Sequence, residues 1–159
     1  MAECDLENSV GCWVFSTMHA LSRAMNDELA ALGITYRQWE VLAWISCTGE
    51  LSQSELADKM SIEAPTLVGV LDRMERDGWI QRIPDEQDRR KKLIRPTEQV
   101  TPIWTKMVGC ARHVAERAVT GLSLDQVEQL RDTLAAIRQN LSEPGKAKPP
   151  ELSTASQTA

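Results

Sequence analysis

Apolar residues recur at intervals of three and four along several segments of this chain. Such spacing places the apolar side chains on one face of an α-helix, which must then be buried against other elements. The first segment predicts a long helix over residues 10–32 that ends at Gly33. The repeated pattern therefore predicts a mainly α fold built from amphipathic helices.

Three capping boxes indicate where other helices begin. In this motif a serine or threonine side chain binds the backbone three residues later, and the side chain at that later position binds back. The pairs are Thr35 with Gln38, Ser52 with Glu55, and Ser123 with Gln126. Helix ends are predicted at Gly49, Gly78 and Gly121, because glycine tolerates the backbone conformation that closes a helix.

The segment from 51 to 80 has the proportions of a helix-turn-helix. Its second helix is predicted to carry Pro65 at its first position, where a missing N–H costs nothing. The core-facing residues are Leu67, Val70, Leu71 and Met74, and the outward set is Pro65, Thr66, Val68, Gly69, Asp72 and Arg73. An ordinary helical hairpin is the alternative interpretation of this segment alone.

A basic hairpin follows directly, in the stretch "RIPDEQDRRKKLIRPT". The runs "WIQRI" and "KKLIR" predict two antiparallel strands joined by a polar turn. Residues 82–95 hold six basic and three acidic side chains, a net charge of 6 − 3 = +3, so the rest of the chain carries −5 − 3 = −8. Alone, such a charge run is typical of a solvated surface. Beside a helix-turn-helix it predicts a wing that contacts nucleic acid.

The segment "DEQDRRKKLIRPT", preceded by "LDRMERDGWI", resembles the MarR family of bacterial winged-helix regulators, and "GITYRQWEVL" resembles the start of that family's second helix. The resemblance covers roughly residues 10–142. It implies a winged helix-turn-helix with long N- and C-terminal dimerisation helices. It also implies that the recognition helix enters the major groove and that Arg90 reaches the minor groove. Asp88 would help to fix the wing, and the neighbouring candidate contacts are Arg89, Lys91 and Lys92.

The recognition helix departs from the family pattern in its charge. Many relatives carry a basic or polar residue where this chain has Gly69, so Arg73 is the only cation expected on the front of the helix. Its C-terminal half holds Asp72, Arg73, Glu75, Arg76 and Asp77, which sum to 2 − 3 = −1. The wing is therefore expected to supply most of the attraction for phosphates. Pro96 and Val100 also depart from the pattern, and the next helix is expected to begin at Thr101 or to kink near Pro102.

These patterns divide the chain into four parts. They are an N-terminal dimerisation helix (1–34), a winged helix-turn-helix domain (35–97), C-terminal dimerisation helices (98–142) and a disordered tail (143–159). The flanking helices carry more apolar surface than the central unit can cover, which predicts a homodimer.

The resemblance implies a small, often aromatic or phenolic, anionic effector. The candidate pocket residues are Trp13, His19, Tyr36 and Trp39. Filling of the core or of the dimer interface is the alternative role for Trp13 and Trp39. Cys12 raises a second alternative, a thiol-based redox-sensing repressor. Cys110 and His113 share a helix face but have no third ligand, so we expect neither a metal nor a cofactor.

The remaining features narrow the class of protein. With two histidines, no nucleophile motif and no glycine-rich phosphate loop, the sequence predicts no enzyme. It shows neither a signal peptide nor an apolar run long enough for a membrane span, so a cytoplasmic location is expected. The leading hypothesis is a dimeric regulator of promoter DNA, a repressor that an effector releases. A helical interaction module that does not bind DNA is the alternative.

Overall fold

The computed structural model describes residues 7–88 and 91–142. Within them lie six α-helices, a three-stranded antiparallel sheet and two short 3-10 turns, Ala30–Leu32 and Glu98–Val100. The helices are α1 (Val10–Leu29), α2 (Tyr36–Thr48), α3 (Gln53–Met60), α4 (Ala64–Arg76), α5 (Thr101–Ala118) and α6 (Leu124–Ser142), and the strands are β1 (Leu51–Ser52), β2 (Ile80–Pro84) and β3 (Lys92–Pro96). The predicted fold class, mainly α with a small β wing, is confirmed.

The helix boundaries follow from local side-chain chemistry. All three predicted capping boxes are present, and in each the side chain three residues into the helix accepts a 2.8 Å bond from the backbone N–H of the cap residue. Ser9 also caps α1 by accepting a bond from the Cys12 N–H, a cap that the sequence analysis missed. Pro65 occupies the second rather than the first position of α4, because the helix begins at Ala64. The second N–H of a helix also lacks an internal partner, so proline fits there equally well.

The sheet contains one strand more than the predicted hairpin. Strand β3 lies between β2 and β1, and Leu51 of β1 is paired with Ile94. A two-residue strand is too short to show the alternation of apolar and polar residues that identifies strands in a sequence. Strand β1 ties the wing to the helix-turn-helix, because its Ser52 is also the cap of α3.

Gly78 forms the junction between the recognition helix and the wing. Its φ of +81° lies in the left-handed region, and a Cβ at this position would come within 3.0 Å of the Gln99 side chain. The Thr97 hydroxyl donates a 2.5 Å hydrogen bond to the Gly78 carbonyl, so the two ends of the wing meet here. Glycine is thus favoured at position 78 by its backbone conformation, and a larger residue would also displace the end of the Gln99 side chain.

The described residues belong to two compact units, the first ending at Ala118 and the second beginning at Val119. In the first unit α1 packs against α5, with Met25, Leu29, Met107 and Val114 buried in one continuous core with the winged domain. Helix α5 begins at Thr101, as expected. In the second unit α6 is amphipathic, with no buried residue. None of the described helices is long and apolar enough to cross a membrane.

Candidate nucleic-acid interface

Helix α4 has a buried face and an exposed face. Leu67, Val70, Leu71 and Met74 are at most 5% exposed and anchor the helix in the core. The opposite face carries Pro65, Thr66, Val68, Asp72 and Arg73, all exposed, with Gly69 half-buried among them. The N-terminal half of the exposed face is therefore small and uncharged, and it can approach another surface closely.

Arg73 is the cation on the exposed face of α4, and it lies back along the helix. Its Nη1 is 3.7 Å from the point where a side chain at Gly69 would begin. Arg73 also lines a cleft of about 390 Å³ with His19 of α1 and Arg37 of α2. Because Gly69 leaves room beside it, the Arg73 guanidinium can reach either the front of α4 or this cleft.

Two carboxylates on α4 are paired with one arginine of the wing, which compensates part of their charge. The Arg82 guanidinium lies 2.6 Å from the Asp72 carboxylate and also donates to the Glu75 carboxylate, while the Arg82 backbone N–H donates to Glu75 at 3.2 Å. The Arg82 side chain is only 14% exposed. Burial by itself would lower the pKa of Arg82, but the hydrogen bonds and charges of Asp72 and Glu75 outweigh it and raise the pKa. Arg82 therefore remains a cation that joins β2 to α4.

This pairing corrects the charge count made from the sequence. Arg82 is one of the six basic residues in that count, but it pairs with Asp72 and Glu75 of the recognition helix and is not available to phosphates. Arg95 was counted in the same way, and it pairs with Glu50, to which its Nε donates at 2.6 Å. Arg76 pairs with Asp77 at 2.8 Å. The helix is thus less acidic, and the wing less basic, than the sequence count implies.

Two further wing cations of the described residues follow the turn. Lys91 and Lys92 are exposed, whereas Arg89 and Arg90 lie outside the described residues. The turn is ordered by Asp85, whose carboxylate accepts hydrogen bonds from the N–H groups of Gln87 and Asp88 at 2.6 and 3.1 Å. These bonds lower the pKa of Asp85 below its usual value. The backbone N–H of Lys91 donates to the Asp88 carbonyl at 2.8 Å.

The four predicted effector residues do not line one pocket. His19 and Tyr36 line the 390 Å³ cleft, and Tyr36 also lines a separate cavity of about 280 Å³ with Trp39. Trp13 lines neither cavity and is 63% exposed. The rings of Tyr36 and Trp39 stack with centroids 5.9 Å apart. Only tertiary packing decides on which side of α2 each ring lies, so the sequence could not separate the two cavities.

Two ionisable side chains that line the smaller cavity, Tyr36 and Glu40, are partly buried. Burial raises the pKa of Tyr36 and of Glu40, and for Glu40 the Arg37 guanidinium at 2.7 Å offsets only part of the effect. The indole N–H of Trp39 is buried and has no hydrogen-bond partner among the described residues. Trp39 therefore packs against the core, the alternative role considered for it above.

The cysteines named in the redox and metal hypotheses are free thiols on α1 and α5. Cys12 is half-buried and not disulfide-bonded, and its backbone N–H is held by Ser9. Cys110 and His113 both contact Glu28 of α1, through the Glu28 carbonyl at 3.5 Å and the carboxylate at 2.8 Å respectively. Across residues 7–88 and 91–142, no three His, Cys, Asp or Glu side chains are grouped so that they could hold a metal ion.

Sequence reasoning missed the role of Arg82 in organising this surface. A signal for it was present, since two acidic residues three positions apart on the exposed face of a recognition helix are unfavourable next to phosphates. Such residues need a cation nearby, and Arg82 follows them by seven and ten positions.

Residues 34–92 of the chain match the model of the MarR family. A crystal structure of a probable transcriptional regulator from Pseudomonas aeruginosa is 26% identical to this chain, with a TM-score of 0.73, covering 83% of this chain and 98% of the other. The transcriptional regulator SlyA is 25% identical, with a TM-score of 0.78 and coverages of 85% and 95%.

A third similar structure contains nucleic acid. It is a cysteine-to-serine mutant of MarR from E. coli complexed with operator DNA, 26% identical to this chain, with a TM-score of 0.76 and coverages of 84% and 99%. The match of the MarR family model to the winged-helix residues, and the fold shared with MarR and SlyA regulators over more than four-fifths of the chain, confirm the predicted resemblance to the MarR family of winged helix-turn-helix transcriptional regulators.

Proposed function

We propose that this protein is a homodimeric, sequence-specific DNA-binding repressor that a small aromatic anion releases from its promoter. The observation that carries the proposal is the exposed face of α4, uncharged in its N-terminal half and paired through its carboxylates with Arg82, next to a wing that carries exposed lysines. A small, uncharged helix face can approach base edges, and cations beside it attract phosphates. The operator complex of the E. coli relative supports the same use of the fold.

The dimer is supported by uncovered apolar surface on α1. The exposed residues of its N-terminal half are Val10, Trp13, Val14, Phe15 and Met18. Helix α6 likewise has exposed leucines, among them Leu124 and Leu141. Surface of this kind is costly in water, and pairing with the same helices of a second copy would bury it. Two copies would also present two recognition helices to one duplex, as this class of motif does.

The 390 Å³ cleft supports the choice of an anionic effector. It joins α1, α2 and α4, and Arg37 and Arg73 lie in its wall with the Tyr36 ring and His19. An aromatic carboxylate could stack on the ring and bind a guanidinium with charge-assisted hydrogen bonds. Binding to Arg73 there would withdraw it from the front of α4. Arg73 would then contact either the effector or the DNA, so the two ligands would compete for this side chain.

Salicylate tests this proposal on a duplex taken from the protein's own promoter region. We expect it to raise the unfolding temperature and to release the DNA, whereas salicyl alcohol, the neutral counterpart, does neither. Arg37→Gln should weaken salicylate binding by about tenfold, since a hydrogen bond to a charged group contributes roughly 1.5 kcal/mol, and should leave DNA affinity unchanged. Absence of binding to any promoter fragment would refute the DNA proposal, while DNA binding that salicylate does not affect would refute only the effector.

A further inference from the structure

A cavity of about 680 Å³ lies between the end of α2, the end of β3 and the start of α5, and no residue of the recognition helix lines it. Its apolar walls are Leu42, Ile45 and Val100, all buried, together with the half-buried indole of Trp104. The volume lies within the range of roughly 300 to 1,000 Å³ that is typical of small-molecule sites. The cavity can therefore accommodate an organic ligand, which would bury its apolar surface there.

The rim of this cavity is polar and carries a net negative charge. Glu50 and Arg95 form an ion pair there, and Glu98 adds a second carboxylate, so two carboxylates face one guanidinium. Glu98 is exposed and forms no ion pair with any residue in the described ranges. Its charge is thus uncompensated beside an apolar cavity that contains a tryptophan.

We propose that this cavity binds a lipophilic cation. The face of an indole attracts positive charge, and tryptophan is the most effective side chain in this respect. The Glu98 carboxylate would compensate the ligand's charge, while Leu42, Ile45 and Val100 would cover its apolar surface. A small inorganic cation would gain nothing from the apolar walls, and an organic anion would be repelled by the rim. The charge preference is the reverse of that of the cleft with Arg37 and Arg73, and the inference does not depend on DNA binding.

Two ions of the same shape and opposite charge test the proposal by isothermal titration calorimetry on the full chain. We expect tetraphenylphosphonium to bind one site per chain, at least about tenfold more tightly than tetraphenylborate. Glu98→Gln should weaken tetraphenylphosphonium binding by about tenfold, and the matched control Glu128→Gln on α6 should leave it unchanged. Trp104→Ala should weaken binding further, and Trp104→Phe should restore part of the loss by returning an aromatic face.

Each contrary result overturns a defined part of the inference. If tetraphenylphosphonium does not bind, the site itself is refuted. If tetraphenylborate binds as tightly or more tightly, the charge class is wrong. If Glu98→Gln and Glu128→Gln weaken tetraphenylphosphonium binding equally, the loss comes from the net charge of the protein and not from Glu98 at the site. Full affinity in Trp104→Ala, in a variant that still unfolds cooperatively on heating, would place the ligand elsewhere on the protein.

Discussion

Arg82→Ala is expected to weaken binding to operator DNA by about tenfold to a hundredfold, or roughly 1 to 3 kcal/mol. The guanidinium holds Asp72 at 2.6 Å and also binds Glu75, both on the recognition helix. Its loss leaves two uncompensated carboxylates facing the phosphates and removes the side-chain contacts between β2 and α4, while the backbone N–H of residue 82 still donates to Glu75. The free energy of unfolding should fall by only about 1 kcal/mol, because Asp72 and Glu75 are 58% and 40% exposed and solvent screens their charges.

A variant that also lacks the two carboxylates distinguishes an electrostatic role of Arg82 from a structural one. Adding Asp72→Asn and Glu75→Gln to Arg82→Ala should recover most of the lost DNA affinity, because no unpaired negative charge remains on the helix. A purely structural role for Arg82 would predict no recovery, since the hydrogen bonds to β2 are still missing. The proposed role of Arg82, to compensate the two carboxylates of the recognition helix, would be wrong if the triple variant bound DNA as weakly as the single one. It would also be wrong if Arg82→Ala bound DNA normally.

Arg90→Ala is expected to weaken DNA binding by about 1 to 3 kcal/mol, because the family resemblance assigns this side chain to the minor groove. The described part of the turn is compatible with that role, since exposed Lys91 follows the tip and Asp85 orders its first half. Arg131→Ala is the matched control, an exposed arginine on α6 paired with its neighbour Asp132. Titration of a labelled operator duplex should show a loss for Arg90→Ala alone. Unchanged affinity would remove Arg90 from the interface.

The elements that could be predicted from the sequence are those determined by neighbouring residues. The capping boxes at Thr35, Ser52 and Ser123 depend on side chains three positions apart, so the sequence pattern contains the whole interaction. The buried stripe of α4 follows from helical periodicity in the same way. The fold class and the order of the helices were therefore predictable before any contact between distant residues was known.

Interactions between distant residues were not predictable. Glu50, the partner of Arg95, lies 45 positions away in the chain. Strand β1 can be recognised as a strand only from the pairing of Leu51 with Ile94. The charge count of the wing failed for this reason, since a formal charge does not reveal which cations are already paired. The position of Trp39 was not predictable for the same reason, because a helical pattern does not show that this side chain packs against the core.

The most direct test of the central claim is a titration of the unmodified protein on one duplex at several salt concentrations. The duplex carries two half-sites one helical turn apart, roughly 34 Å. We predict two copies bound per duplex and an affinity that falls at least about a hundredfold between roughly 50 and 200 mM salt, because released counterions drive the binding. An affinity independent of salt, or a single copy bound per duplex, would contradict the account.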